Sequence, residues 1–257
     1  MRFGSPILAL LLSSTPLSAH QAPEILDVGV EDAAAPWSQP DGTGYANDVA
    51  KAAFAAVGIT MRPKVLPYAR CKALVLSGQL AACVSMSPAP ELRQLVRFSA
   101  RPMFVFACDF FENPARPIGR SIDALPLRSV VGTVLGYEYP PEIMARLAAR
   151  QAVLEPAPTE EINLRKLAAG RIAAAMVNRD EIKSADWAAE RAGVRGRVRS
   201  VYRMGALPGY VGFSVAHPRG LELVHRFDEG MNRIIASGEQ ERIKRRWIGL
   251  IQATTQR

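Results

Sequence analysis

The chain has 257 residues, 49% of them hydrophobic and 22% charged, with a formal net charge of +8. This is an ordinary globular composition, with length for one large domain or two small ones. The basic residues are scattered and often stand beside Asp or Glu, so the charge is no footprint for nucleic acid and no nucleic-acid partner is expected.

Residues 1–19 read as a secretory signal peptide. Arg2 supplies the basic start, Ile7 to Leu12 the apolar run, and cleavage is expected after Ala19. An anchor helix would need a far longer run. No Cys follows closely, so no lipid anchor is expected, and no later stretch is apolar enough to span a bilayer. The product is expected to be an exported protein of the periplasm.

Glu24 to Val30 predicts a first strand, followed by the turn-rich PWSQPDGTGY. Asn47 to Val57 predicts a helix ended by Gly58. ITMRPKVLP is a short strand, Tyr68 to Leu76 a helix stopped by Gly78, and LAACVSM a strand without polar alternation, covered on both faces. The same order then repeats: Ser129 to Val134 as strand, Pro141 to Arg150 as helix, AVLEPAP as strand, Glu160 to Ala169 as helix closed by Gly170, and IAAAMVN as strand. Glycine after a helix takes the left-handed conformation without a Cβ penalty. The matching joints SGQLAACVSM and AGRIAAAMVN therefore point to two similar α/β lobes rather than one long sheet.

The Phe-rich RFSARPMFVFACDFFENPARP and, later, SVYRMGALPGYVGFSVAHP read as extended crossings between the lobes. Gly220 to Ala236 and Gln240 to Ile248 read as closing helices. The expected architecture is α/β and two-lobed: residues 20–107 and 208–257 form lobe 1, residues 108–207 form lobe 2, and the hinges lie near 103–112 and 201–210.

Cys71, Cys83 and Cys108 allow one bridge and one thiol. Cys83, inside a buried-strand pattern, reads as the free one. Cys71 with Cys108 is then the candidate pair, with connectivity left open. Arg191, Arg195, Arg197, Arg199 and Arg203 read as a solvated basic face.

In open α/β sheets the ligand lies beyond the C-terminal ends of strands, near helix N-termini. Those positions are the loop after the first strand (Glu31, Trp37), the entry to the second helix (Tyr68, Arg70), the loop after LAACV (Ser85, Ser87, Glu91, Arg93), Gly136 to Tyr139, and Asn178. The candidate ligand-binding set is Trp37, Tyr68, Arg70, Ser85, Ser87, Glu91, Arg93, Tyr137, Tyr139 and Asn178. Each has a plainer role: Trp37 as an edge plug, Arg70 in a surface pair, the serines and Asn178 as caps, Glu91 and Arg93 on a solvated face, the tyrosines as lobe packing. Arg70 opposes the helix dipole at its position, which favours a functional role. Nucleophile elbow, zinc-protease and phosphate-loop motifs are missing, no zinc-site spacing occurs, and no cofactor or metal is expected. Glu91, Glu138 and Asp48 remain possible general acids.

In order along nearly the whole mature sequence, PW…DGTGYANDVAKAAF, LPYARCKALVLSGQLAACVSM, SMSPAPELRQLVRFSARPM, VVGTVLGYEY, LRKLAAGRIAAAMVNRD and GLELVHRFDEGMNRIIASGEQERIKRRWIG resemble the bacterial extracellular solute-binding proteins of family 3. Asp48 stands where that family usually has an acid. The resemblance implies the two-lobed periplasmic-binding-protein fold of type II, ligand-driven closure, and delivery to an inner-membrane ABC permease. The departures concern the ligand. The family's carboxylate-clamping Arg falls on Leu92, with Arg93 one place off. Its ammonium-binding Asp is Asn178. Its strand acids are Ala81 and Ala173. Losing both charged partners argues against an ordinary free α-amino acid. The expected ligand is a small polar or anionic solute, taken up by a monomer. The alternatives are a sensing or solute hand-off subunit, and a periplasmic dehydratase-like enzyme on the same scaffold.

Overall fold

The computed structural model describes residues 24–255. The signal-peptide expectation therefore lies outside the described residues. Among these residues, no helix is long and apolar enough to cross a membrane.

The first lobe begins with β1 (Glu24–Glu31), α1 (Tyr45–Ala55), β2 (Ile59–Leu66), α2 (Tyr68–Leu76) and β3 (Ala82–Met86). β1 pairs in parallel with β2 on one side and with β3 on the other. The second lobe repeats the pattern with β6 (Val130–Val134), α3 (Pro141–Ala149), β7 (Val153–Ala157), α4 (Glu160–Ala168) and β8 (Ala174–Arg179). There β6 pairs in parallel with β7 and β8. The two glycine joints match in detail. Gly78 and Gly170 have φ of 73° and 68°. The N–H after each closes back on the helix, Gln79 to the Leu74 carbonyl and Arg171 to the Lys166 carbonyl. This is the glycine-ended helix stop that turns the chain directly into the next strand.

Two strands cross between the lobes: β5 (Phe104–Glu112) and the 16-residue β9 (Arg199–Ser214). They pair with each other, β5 with β8, and β9 with β3 and the short β4 (Val96–Phe98). The expectation of two sheets needs one adjustment. Strand pairing runs unbroken in the order β2-β1-β3-β9-β5-β8-β6-β7, because the crossing strands belong to both lobes. The β5–β9 register shifts between Phe106 and Cys108, and Gly205 opposite has φ 60°. Such irregularities bend a strand locally.

α5 (Ala185–Arg191) was not expected from the sequence pattern; Ser184 caps it by accepting from the Trp187 N–H. α6 (Gly220–Ala236) and α7 (Glu239–Thr255) close the chain, α7 running further than its predicted end. Asp48 accepts from Trp247 Nε1 at 2.9 Å and Arg246 Nη2 at 2.8 Å, which ties α1 to α7. The main core gathers Phe54, Phe213, Phe227 and Trp247 around β1, α1 and α6. The second lobe has its own apolar clusters around Phe111 and Phe110.

The cysteine expectation is corrected. Cys71 bonds to Cys83 across 6.1 Å between Cα atoms, and Cys108 is the free, buried thiol. The reason is packing: α2 lies on β3, so Cys71 and Cys83 share one apolar cluster, whereas Cys108 sits in the core of the other lobe. The arginines of the basic segment are exposed, and each has a partner. Arg191 pairs with Glu161, Arg195 with Glu190, Arg199 with Glu112 and Arg203 with Asp109, while Arg197 donates to the Ala168 carbonyl.

Candidate functional site

A cavity of about 30 Å³ lies between the lobes. A space of that size holds one or two waters, so the lobes are drawn together. Glu31 at the end of β1, Ala34 and Trp37 in the loop after it, Tyr68 at the start of α2, Ser85 in β3 and Ser87 just past it form one wall. Tyr137 and Glu138 after β6, with Asn178 at the end of β8, form the other. Phe104 and Phe106 of β5 close the hinge side. Both walls are built from C-terminal strand ends, where this topology leaves a crevice.

Hydrogen bonds cross the cleft. Tyr68 Oη donates to Glu138 Oε2 at 2.6 Å, and Lys72 Nζ lies 2.9 Å from Glu138 Oε1 and 2.5 Å from the Gly136 carbonyl. Tyr137 Oη donates to Glu31 Oε1 at 2.6 Å. Trp37 Nε1 donates to Asp180 Oδ2 at 2.7 Å. The Trp37 ring stacks on Phe104 at 5.5 Å between centroids, and Lys183 Nζ stands 4.7 Å from its centre. Lys183 is also paired with the buried Glu160, whose other oxygen accepts the Asn178 backbone N–H at 2.7 Å. Asn178 is thus held by its backbone, leaving its side chain for the cavity.

Two polar atoms at the cavity are buried without partners: Ser85 Oγ and Asn178 Oδ1. Ser85 also has φ 66°, a left-handed conformation uncommon for a residue with a Cβ, where the β3–β9 register shifts. Local strain of this kind concentrates at ligand sites. Burial pushes the Glu31 carboxyl up to about 8, against the hydrogen bond from Tyr137. Burial likewise raises Glu160 and Asp180, opposed by Lys183 at the first and by the Trp37 hydrogen bond at the second. Burial also lifts the phenols of Tyr68 and Tyr137, both beside carboxylates, so each stays a donor.

Of the predicted residues, Trp37, Tyr68, Ser85, Ser87, Tyr137 and Asn178 meet at this cavity. Arg70, Glu91 and Arg93 are exposed and stand outside it. Arg70 follows Tyr68 by two helical positions, which point apart. Glu91 and Arg93 flank Leu92, which turns into the core. Tyr139 packs in the second lobe, its hydroxyl accepting the Val134 N–H at 2.8 Å. Sequence reasoning missed Lys72, Phe104 and Phe106 as site residues, and left Glu31 and Glu138 outside the candidate set. Lys72 shares a helix face with Tyr68 four positions earlier. Phe104 and Phe106 alternate onto one strand face. Of the candidate acids, Glu138 alone reaches the cavity, and there its carboxylate is bound by Lys72 and Tyr68.

The Lys72–Glu138 pair joins the lobes and is mostly buried. Removing one partner of a buried pair leaves an uncompensated charge. Lys72→Met is therefore expected to shift the protein toward an open form, seen as a larger radius of gyration in small-angle scattering. Adding Glu138→Gln should restore compactness. An unchanged radius in Lys72→Met would exclude the latch.

A two-lobed α/β structure with a small, aromatic-walled cavity lined from both lobes defines a cleft-binding protein. The sequence pattern of the bacterial extracellular solute-binding proteins, family 3, matches residues 26–250, and the chain belongs to that family. No curated protein sequence matches it. Among solved structures, a histidine kinase sensor domain with similarity to periplasmic binding proteins superposes with a TM-score of 0.72 at 21% identity, covering 88% of this chain and 96% of its own. An ancestral arginine-binding protein bound to arginine gives 0.74 at 18% identity, covering 87% and 97%. An ancestral amino acid-binding protein, a precursor of cyclohexadienyl dehydratase, gives 0.68 at 16% identity, covering 87% and 95%. At these identities the likeness concerns the fold.

Proposed function

We propose that this protein is exported to the periplasm, where as a monomer it captures a small solute between its lobes and delivers it to an inner-membrane ABC permease. The reading takes residues 20–107 with 208–257 as one rigid lobe and 108–207 as the other, hinged near 103–112 and 201–210. One observation carries it: two buried oxygens, Ser85 Oγ and Asn178 Oδ1, stand without partners at a cavity walled by both lobes. Buried polar atoms in folded proteins are nearly always bonded, so a partner from outside the chain is the simplest account. Ligand contacts from both lobes stabilise the closed form.

The charged side chains lining the cavity, Glu31 and Glu138, are both acids. The proposal therefore departs from an anionic ligand and takes a solute that presents hydrogen-bond donors. Asn178→Leu tests it. A near-isosteric apolar replacement removes an unpartnered polar atom, so the ligand-free protein should melt no lower, and even higher. Affinity for the captured solute should fall at least about tenfold, or ~1.4 kcal/mol. Titration calorimetry showing equal affinity for wild type and variant would count against this cleft as the site.

The likeness to a histidine kinase sensor domain favours a second reading, in which the loaded protein reports to a sensor. Co-purification of the solute-loaded protein with a membrane sensor rather than a permease would select it.

A further inference from the structure

Five carboxylates are buried among the described residues: Glu31, Asp109, Glu112, Glu138 and Glu160. Four have a cationic partner. Asp109 pairs with Arg179 and Arg203, Glu112 with Arg199, Glu138 with Lys72 and Glu160 with Lys183. Glu31 forms no such pair, and it lines the cavity. Its one side-chain hydrogen bond comes from the neutral phenol of Tyr137. A buried carboxylate without a cation is costly, and such a group stays protonated until a cation arrives.

The cavity's other features ask for the same chemistry. Asn178 Oδ1 is an acceptor without a donor, and an anion brings only acceptors. Trp37, Phe104, Phe106, Tyr68 and Tyr137 supply aromatic walls that cover the apolar body of an organic solute, although Lys183 and Lys72 already stand over the Trp37 and Tyr68 rings. Glu31 and Glu138 are the charged side chains of the lining itself; the cations behind it, Lys72 and Lys183, are paired with Glu138 and Glu160.

We propose that the cleft takes up a small organic cation of the amine class in exchange for the proton on Glu31. The inference rests on the solute-binding reading above. The cavity as it stands holds only one or two waters, so the lobes must part to admit the solute. The ammonium enters charged, the Glu31 proton leaves to bulk water, and the carboxylate left behind pairs with the ammonium. The charge of the cleft is unchanged by the exchange, and no free charge is buried. The groups that face Glu31 shape the step. Glu160 and Asp32 oppose its ionisation, Lys183 favours it, and Tyr137 donates to it. Glu138, across the cavity, is already neutralised by Lys72. Burial places the Glu31 carboxyl near 8, so the proton is present to be exchanged at neutral pH.

The test uses the mature protein and two probe pairs of matched shape, butylammonium with 1-butanol and benzylammonium with benzyl alcohol. Melting shifts rank affinity. Titration calorimetry at pH 7 in phosphate and in Tris counts protons from the difference in observed heat. The ammonium of each pair should bind at least tenfold tighter than its alcohol and release close to one proton, the release vanishing above pH 9. Glu31→Gln should bind the ammonium at least tenfold more weakly, release no proton, and bind the alcohol as before. Infrared difference spectra should lose a protonated-carboxyl band on ammonium binding in wild type alone. Alcohols binding as well as ammoniums, or proton release persisting in Glu31→Gln, overturns the exchange and leaves the solute-binding reading standing. If no probe shifts melting while the small-molecule fraction of a cell extract does, the amine exchange falls and the solute-binding reading stands; if neither does, both readings fall together.

Discussion

The Cys71→Ser, Cys83→Ser double variant is expected to be about 3 kcal/mol less stable than the oxidised wild type, the entropy of closing a short loop in the unfolded chain. The bond spans a sequence separation of 12 and fastens α2 to β3. For a chain of this size, that loss lowers the melting temperature by roughly 6–12 °C. The effect should reach the site as well. Cys71 lies between Tyr68 and Lys72 on α2, and Cys83 is two residues before Ser85, so the bridge sets the spacing of one cavity wall. Solute affinity should fall with stability. Cys108→Ala should do much less, within about 1–2 kcal/mol, because that thiol packs alone in the second lobe and removing it deletes one buried atom. Melting curves of the three proteins with and without reductant check this directly. If Cys108→Ala destabilises as strongly as the double variant, the assigned connectivity is wrong.

The second large effect concerns Glu31 and pH. Its folded value, near 8, lies above the ordinary carboxyl value of 4.5. Between those limits the folded protein holds a proton that the unfolded chain has released. The unfolded state thus binds fewer protons, and stability falls as pH rises. The contribution is fully present below pH 4.5 and is lost as pH rises to about 8, at up to ~1.4 kcal/mol per pH unit. Glu31→Gln cannot ionise, so its stability relative to wild type should grow steadily from pH 5 to pH 8. Urea unfolding at unit pH intervals measures the difference. A constant offset between the two proteins across that range would contradict a protonated Glu31. Glu160 and Asp180 are raised in the same direction, so the Glu31→Gln variant retains some slope of its own.

Much of the fold was legible because punctuation and period agreed. Pro67 and Gly78 bracket Tyr68–Leu76, and the apolar stripe of Gly220–Ala236 ends before Gly238; both helices were read with the bounds they have. The repeat around Gly78 and Gly170 foretold matching lobes, because one backbone device serves both joints. α5 escaped because ADWAAER is too short to establish a period and depends on its Ser184 cap. The disulfide escaped because a buried-strand pattern describes Cys83 correctly but says nothing about which helix lies over it.

The site was legible to the level of strand ends, and no finer. Topology places Trp37, Ser85, Tyr137 and Asn178 at the crevice. It does not choose between Tyr68 and Arg70 at one helix start, or between Tyr137 and Tyr139 in one loop. Helical and extended geometry make those choices: residues two apart on α2 diverge, while Lys72, four on, returns to the cleft face. The expectation of a polar or anionic solute rested on Arg70, Ser85 and Ser87. Both serines line the cavity, whereas Arg70 is exposed outside it.

The central claim is that a solute occupies the cavity between the lobes, held in part by Asn178. Native mass spectrometry of freshly isolated wild type and Asn178→Leu, after adding back the small-molecule fraction released by denaturing wild type, tests it most directly. Wild type should carry a one-to-one adduct, and the variant a much smaller fraction of it. The same adduct at the same occupancy on both proteins, or none on either after add-back, would contradict it.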